Sequence, residues 1–345
     1  MTSIICLLRL NHTELIDLNI IMWGVFQILK GSILNKPLKL ISMGECMLEV
    51  QANSFGSAVL SYGGDTFNTA VYLRRCSDPL ALEVGYATAV GQDPLSEKLL
   101  NEWRLLGIDL TLTQQIENKL LGMYLIETDE KGERRFHFWR DNSAARFYFD
   151  TDLSPLEKGA ANIDCLYLSG ISLAILNTAA RERLFDVMAY LKATGKKVVF
   201  DNNYRPRLWT DRFTTQQVYQ KAIGFSTIAL VTVDDHKDVF DFNSMEDALA
   251  HAKQLPVDEI VIKRGAADTL VHSSEQSEWG SVPTLHVEKV IDTTAAGDSF
   301  AAGYLSRRLL GHSSIDSAAF GNLVASRVVQ HRGAIIPLEA MQDLI

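Results

Sequence analysis

From Leu38 onward, two rhythms of apolar and polar residues alternate along the chain. Short apolar runs bounded by turn residues read as buried strands. They occur in LKLISMGECM (38–47), which leads to Gly44, and in LEVGYATAVG (82–91), DCLYLSG (164–170), KKVVFDNN (196–203), STIALVTV (226–233) and DEIVIKRG (258–265). Between them lie stretches with helical spacing. GGDTFNTAVYLRR (63–75) runs from a glycine pair into a helix with Asp65 or Thr66 as N-cap, because short oxygen-bearing side chains satisfy the first free amides. The segment 93–107 carries Pro94 in its first turn and Gly107 at its end, and TAARERLFDVMAYLKATG (178–195) is a further helix. Strands alternating with helices at this spacing predict βαβ units and an α/β fold with a mostly parallel sheet.

Two stretches, 47–64 and 121–140, break that alternation and read as strand–turn–strand, the second turning at 129–132. Such insertions in an α/β chain predict a small sheet that covers a site. Residues 1–38 fall outside the pattern and read as an N-terminal extension, with the domain over 39–345. Their apolar run Leu18–Leu29 is interrupted by Asn19, Gly24 and Gln27 and is too short and broken for a membrane span.

Charge narrows the function classes. With 33 basic and 42 acidic residues the net charge is -9, which argues against nucleic acid as the main partner. The 47% hydrophobic and 22% charged content is that of a globular chain. Cys6, Cys46, Cys76 and Cys165 are scattered without a CxxC pair, as expected of small buried residues in a reducing, cytoplasmic setting rather than of a disulfide or zinc site. No HExxH, GxxxxGK[ST] or strand-linked GxGxxG occurs, which excludes those zinc, P-loop and dinucleotide signatures.

The chemistry concentrates in IDTTAAGDSFAAGYL (291–305). Small residues follow the strand-like HVEKVID (286–292) and precede a helix, so the amides of Ala295, Ala296 and Gly297 would converge on an anion with the helix dipole behind them. Asp298 has the wrong sign for such a place. Its options are to cap a helix beginning near Ser299 or to accept a proton from an attacking hydroxyl. The strand-end Asp201 is placed to touch either substrate or solvent. Among His137, Phe138 and Trp139, alternation puts Phe138 on the face of Arg140.

DTTAAGDSFAAGY resembles the C-terminal signature of the ribokinase-like PfkB carbohydrate kinases, GGDTFNTAVYLRR resembles their N-terminal one, and VIKRGAADTLV (261–271) resembles their strand and turn beside the nucleotide. GECMLEV, CLYLSGISLAIL, FDNNYRPRLW and RGAIIP are similar to the branch of that family that phosphorylates the sugar acid 2-dehydro-3-deoxygluconate. The resemblance implies a three-layer α/β/α domain with a β-sheet lid, ATP and Mg²⁺ as cofactors, a homodimer and no membrane or nucleic-acid partner. A monovalent-cation requirement stays open. It implies Asp298 as base and Ala295, Ala296 and Gly297 as anion hole, Ala295 standing where the family usually has glycine; the amide survives that change if its φ is negative. Gly63, Gly64, Asn68, Tyr124, Phe138, Arg140 and Arg205 correspond to sugar contacts. Thr232, Lys263, Arg264, Gly265 and Asn322 correspond to nucleotide contacts, and Asp235 to a residue that organises magnesium through water. The two arginines favour an acid over a neutral sugar, since a charge-assisted hydrogen bond contributes about 1.5–3 kcal/mol against roughly 0.5–1.5 for a neutral one. The rival readings are the same chemistry on fructose or another small sugar, and a non-catalytic sugar-binding regulator.

Overall fold

The continuous apolar runs do become strands, and both of their faces are covered. The computed structural model describes residues 36–54, 57–128 and 134–344. In chain order the strands are β1 (Leu38–Met43), β2 (Met47–Ser54), β3 (Ser57–Gly63), β4 (Leu82–Ala87), β5 (Ala89–Gly91), β6 (Gln114–Ile116), β7 (Met123–Thr128), β8 (Arg134–Trp139), β9 (Cys165–Ser169), β10 (Lys197–Asp201), β11 (Ile228–Thr232), β12 (Glu259–Arg264), β13 (Ala267–Ser273) and β14 (Gly280–Val282). The main sheet has the order β14-β13-β12-β11-β10-β9-β1-β4. It is parallel from β4 to β12 and antiparallel at the β13–β14 edge.

Period-two alternation sends neighbouring side chains to opposite layers. Ile41, Leu166, Val198, Phe200, Val231 and Ile262 pack under the helices Thr178–Ala193, Arg212–Phe225 and Val233–Phe240. Leu40, Tyr167, Val199, Leu230 and Val261 pack under Asp65–Arg75, Ala296–Arg308 and Ser314–Val328. The result is the three-layer α/β/α arrangement expected. Parallel strand order carries β9, β10, β11 and β12 so that Ser169, Asp201, Thr232 and Arg264 end at the same carboxyl edge, where open α/β sheets bind ligands.

The two irregular stretches form the second sheet, β3-β2-β7-β8, with β2 and β7 parallel and two antiparallel hairpins flanking them. The expected turn at 129–132 lies outside the described residues. Three local expectations are corrected. The run 82–91 is two strands: β4 stays in the main sheet while β5 turns away to pair with β6. The N-cap of Asp65–Arg75 is Gly64, without a side-chain bond, rather than Asp65 or Thr66. HVEKVID forms no strand; the backbone amides of Ile291 and Asp292 bond instead to Val329 O, at 2.8 and 3.2 Å, at the end of the helix Ser314–Val328. The Asp93–Pro94 start is as expected, Asp93 accepting the amides of Leu95 and Ser96.

Candidate active site

The segment 291–298 is anchored before it reaches the helix. Asp292 Oδ1 accepts both the amide of Thr294, at 3.1 Å, and its hydroxyl, at 2.7 Å, while Oδ2 accepts the amide of Gly333 at 3.0 Å. The chain then turns through Ala295, the N-cap of the helix Ala296–Arg308, with φ 60° and ψ 14°. The condition of a negative φ is therefore not met. Ala295 is left-handed, a conformation that costs an L-residue about 1 kcal/mol or more, and this is the physical reason for a glycine at such a position. The turn also spends one of the three candidate amides: Ala296 N–H donates to Thr293 O at 3.2 Å. Among the described residues, the amides of Ala295, Gly297 and Asp298 have no backbone acceptor. The amides left to face an anion would be those of Ala295, Gly297 and Asp298 rather than the run 295–297.

Asp298 lies in the first turn of that helix and makes no cap bond, because the helix begins at Ala296 and not near Ser299. Its partner comes from across the molecule. Asn68 Nδ2 donates to Asp298 Oδ2 at 2.8 Å, and Thr69 Oγ1 donates to Asp298 O at 3.3 Å. Removal from water raises its proton affinity, the charges of Asp65 and Asp201 raise it further, and the Asn68 bond and Lys263 oppose them; the result is a pKa of about 7. A carboxyl group poised there exchanges a proton near neutrality.

Around it the glycine pair closes in. A Cβ on Gly64 would lie 2.0 Å from Glu45 O, so the backbone approach at this point admits only glycine. Gly63 faces the Asn68 amide and the Tyr124 hydroxyl. Asn68, expected at the sugar, donates to Asp298, and its Oδ1 accepts Gly64 N–H at 3.4 Å.

Lys263 is the cation of the cluster, 2.8 Å from Asp201 Oδ2. Asp201 therefore meets a lysine rather than solvent. Next to it, Asn203 Nδ2 donates to Asp65 Oδ2 at 2.7 Å, and Asn202 clamps both backbone groups of Thr232, at 2.8 and 2.9 Å. Asp235 Oδ2 accepts the amide of Tyr204 at 3.0 Å and lies 3.9 Å from Arg205, whose side chain is 56% exposed. Burial raises the proton affinity of Asp235, opposed by that amide bond.

The lid residues divide. Tyr124 donates to Glu49 and packs against Phe138 with ring centroids 5.8 Å apart. Phe138 remains about half exposed. Arg140 is buried and paired with the buried Glu45, so it is not a free cation facing a sugar. A cavity of about 400 Å³ lies between this sheet and the C-terminal segment, lined by Glu49, Tyr62, Tyr124, Thr294 and Arg332 among others. On the nucleotide side, Gly265 turns with φ 62° between β12 and β13, and Arg264 Nε donates to Asp268 O at 2.7 Å. Asn322 is buried and its amide is used internally, accepting from Thr269 Oγ1 at 3.0 Å and donating to Pro283 O at 3.0 Å.

Sequence reasoning assigned no site role to Glu45, Glu49, Asp65, Asn202, Asn203 or Arg332. The run Asp201–Asn203, three polar residues directly after a buried strand, was the signal available for two of them.

The family model for pfkB family carbohydrate kinases matches residues 38–341. The chain is 47% identical over 306 residues to the 2-dehydro-3-deoxygluconokinase of Escherichia coli (strain K12), covering 88% of this chain and 98% of that protein. It is 47% identical over 302 residues to the enzyme of the same name from Dickeya dadantii (strain 3937), covering 87% and 97%. Among solved structures, 2-dehydro-3-deoxygluconokinase from Thermotoga maritima superposes with a TM-score of 0.73 at 20% identity, covering 89% of this chain and 98% of that one. Fructokinase with bound ATP from Xylella fastidiosa gives 0.73 at 19% identity, covering 89% and 97%. These last two likenesses speak for the fold.

Proposed function

The chain belongs to the pfkB family of carbohydrate kinases, phosphotransferases with an alcohol group as acceptor, and from that premise we propose that it transfers the γ-phosphoryl group of ATP to the 6-hydroxyl of 2-dehydro-3-deoxy-D-gluconate. The observation that carries the chemistry is Asp298, raised to about 7 and held by Asn68 beside unpaired helix-start amides. The observation that carries the substrate is the 47% identity, over 306 and 302 residues, to proteins bearing that activity in their names.

In this reading Asp298 takes the proton of the attacking hydroxyl, and the amides of Ala295 and Gly297 with Lys263 meet the charge on the transferring group. Arg205, more than Arg140, supports recognition of the sugar carboxylate. Its guanidinium is exposed and spends one nitrogen on Tyr204 O at 2.7 Å, whereas Arg140 is neutralised by Glu45. Gly265 and Arg264 belong to the nucleotide side. The lid would keep water from competing as acceptor.

Magnesium, when bound with the nucleotide, neutralises phosphate charge. Among the described residues no group of three or more His, Cys, Asp or Glu side chains gathers to hold an ion. The single desolvated carboxylate of Asp235, with Thr232 nearby, fits a contact through water to an ion held mainly by phosphates. The lid edge β3, which exposes Val59 and Leu60, supports a homodimer.

The test is ADP release in a coupled assay with the keto-deoxy sugar acid and with fructose. Preference for the acid, lost selectively in Arg205→Gln, is the expected result. Faster turnover of fructose refutes the substrate, and no sugar-dependent ADP release refutes the kinase.

A further inference from the structure

Lys263 is short of partners in a place where that is costly. Its side chain is 12% exposed and its ammonium makes one ion pair, to Asp201 Oδ2. An ammonium carries three N–H donors, so among the described residues two have no acceptor, on a side chain that is mostly out of water. A partly served buried cation is unfavourable unless another group completes its shell.

Its location indicates what that group is. A Cβ built on Gly297 would lie 3.5 Å from Lys263 Nζ, which puts the ammonium against the backbone whose amide is unpaired at the helix start. Asp201 is in turn held firmly. It is 3% exposed, its Oδ1 accepts the amide of Asn203 at 3.3 Å, and the Tyr167 hydroxyl lies 3.5 Å from Oδ2. Lysine has a long flexible stem, so without that carboxylate nothing else in the cluster fixes where its charge sits.

We propose that Asp201 is a positioning residue for phosphoryl transfer: it holds the Lys263 ammonium beside the Gly297 amide, so that cation and amides form one preassembled site for the γ-phosphoryl oxygens. The inference rests on the kinase reading above but not on which sugar accepts the group. A purely structural alternative, in which the pair only ties the ends of β10 and β12 together, leaves the KM for ATP unchanged when either partner is replaced.

Asp298 is faced by Asp65 from the helix Asp65–Arg75, by Asp201 and Lys263 from the strand ends, and by the phenols of Tyr72 and Tyr167. Asp201→Asn removes one negative charge and also frees the full positive charge of Lys263. Both changes make Asp298 more acidic. Lys263→Met does the reverse.

The experiment measures kcat/KM against pH, and the KM for ATP, for the full chain and the two variants with whichever sugar the wild type phosphorylates. Expected in Asp201→Asn is an acid limb displaced to lower pH by about one unit, a tenfold change in proton affinity, with a higher KM for ATP. Expected in Lys263→Met is a limb displaced to higher pH, again with a higher KM. A limb that stays put or rises in Asp201→Asn overturns the proposal. Should that variant fail to fold, Lys263→Met decides alone, and an unmoved limb with an unchanged KM for ATP overturns it equally. Failure of the wild type on the sugar acid would count against the substrate assignment and leave this comparison standing.

Discussion

Asp298→Asn should abolish most activity and yet stabilise the protein. The Asp298 carboxyl group, ordinarily near 3.8, is raised to about 7 in the fold, chiefly by burial. An acid whose proton is held more tightly in the folded state contributes stability when protonated, and that contribution is lost as pH rises from the unfolded pKa through the folded one. Each unit corresponds to about 1.4 kcal/mol, so the ionised form at about pH 8 carries an upper bound of about 4 kcal/mol. Screening by water and polar neighbours around a partly exposed residue reduces that to about 2 kcal/mol. Asparagine removes the charge and keeps the oxygen that accepts from Asn68. The variant should therefore melt about 4 °C higher than wild type near pH 8, with the difference shrinking as pH falls below about 7 and vanishing only below about 3.8, where the group is protonated in the folded and the unfolded chain alike. Comparing two proteins at each pH is essential, because carboxylates such as Asp109 and Glu157 are shifted the opposite way and dominate any single curve. Its kcat should fall by about 10²–10⁴, the usual contribution of a positioned base. A variant that melts lower at high pH would refute the electrostatic account, and one that turns over normally would remove Asp298 as base.

Ala295→Gly relieves the left-handed φ of 60°; strain of about 1–2 kcal/mol against roughly 0.5–1 of added chain entropy leaves a net gain of about 0.5 kcal/mol. The denaturation midpoint should rise with kcat unchanged, since the amide is retained, and a lower midpoint would contradict the strain. Gly64→Ala drives a methyl group into the Glu45 carbonyl and should destabilise by about 3 kcal/mol, readable in the same denaturation experiment; a neutral outcome would mean that the glycine pair is not a tight crossing. Asn68→Ala deletes the bond that lowers the proton affinity of Asp298. The acid limb of kcat/KM should move to higher pH, and an unmoved limb would detach Asn68 from the base.

What local pattern could reveal about this molecule was whatever local physics decides. Val198–Phe200 and Ile260–Ile262 are apolar on both faces because helices cover both layers, and that alone implies a parallel sheet. Asp93 caps its helix because its partners are two and three residues away. HVEKVID misled for the complementary reason: alternation is necessary for a half-buried strand, but a strand also needs a ladder partner, and Ile291 and Asp292 are taken by Val329. The pairings that define the site span 62 residues for Lys263 and Asp201, 95 for Arg140 and Glu45, and 230 for Asn68 and Asp298. Topology predicts that strand ends meet at the carboxyl edge but not which charge faces which. The family resemblance therefore pointed to Arg140 as a substrate contact, while its pairing with the buried Glu45 could not be read from the sequence. The same reasoning explains the composition of the cluster. Asp65, Asp201 and Asp298 crowd one edge; burial lifts the proton affinity of Asp298 most, the charges of its two neighbours lift it further, and those charges would also repel a phosphate. Lys263 reconciles the two demands. It is near enough to Asp201 to be held, lies beside Gly297 where the proposed anion would sit, and opposes the rise in Asp298 without cancelling it.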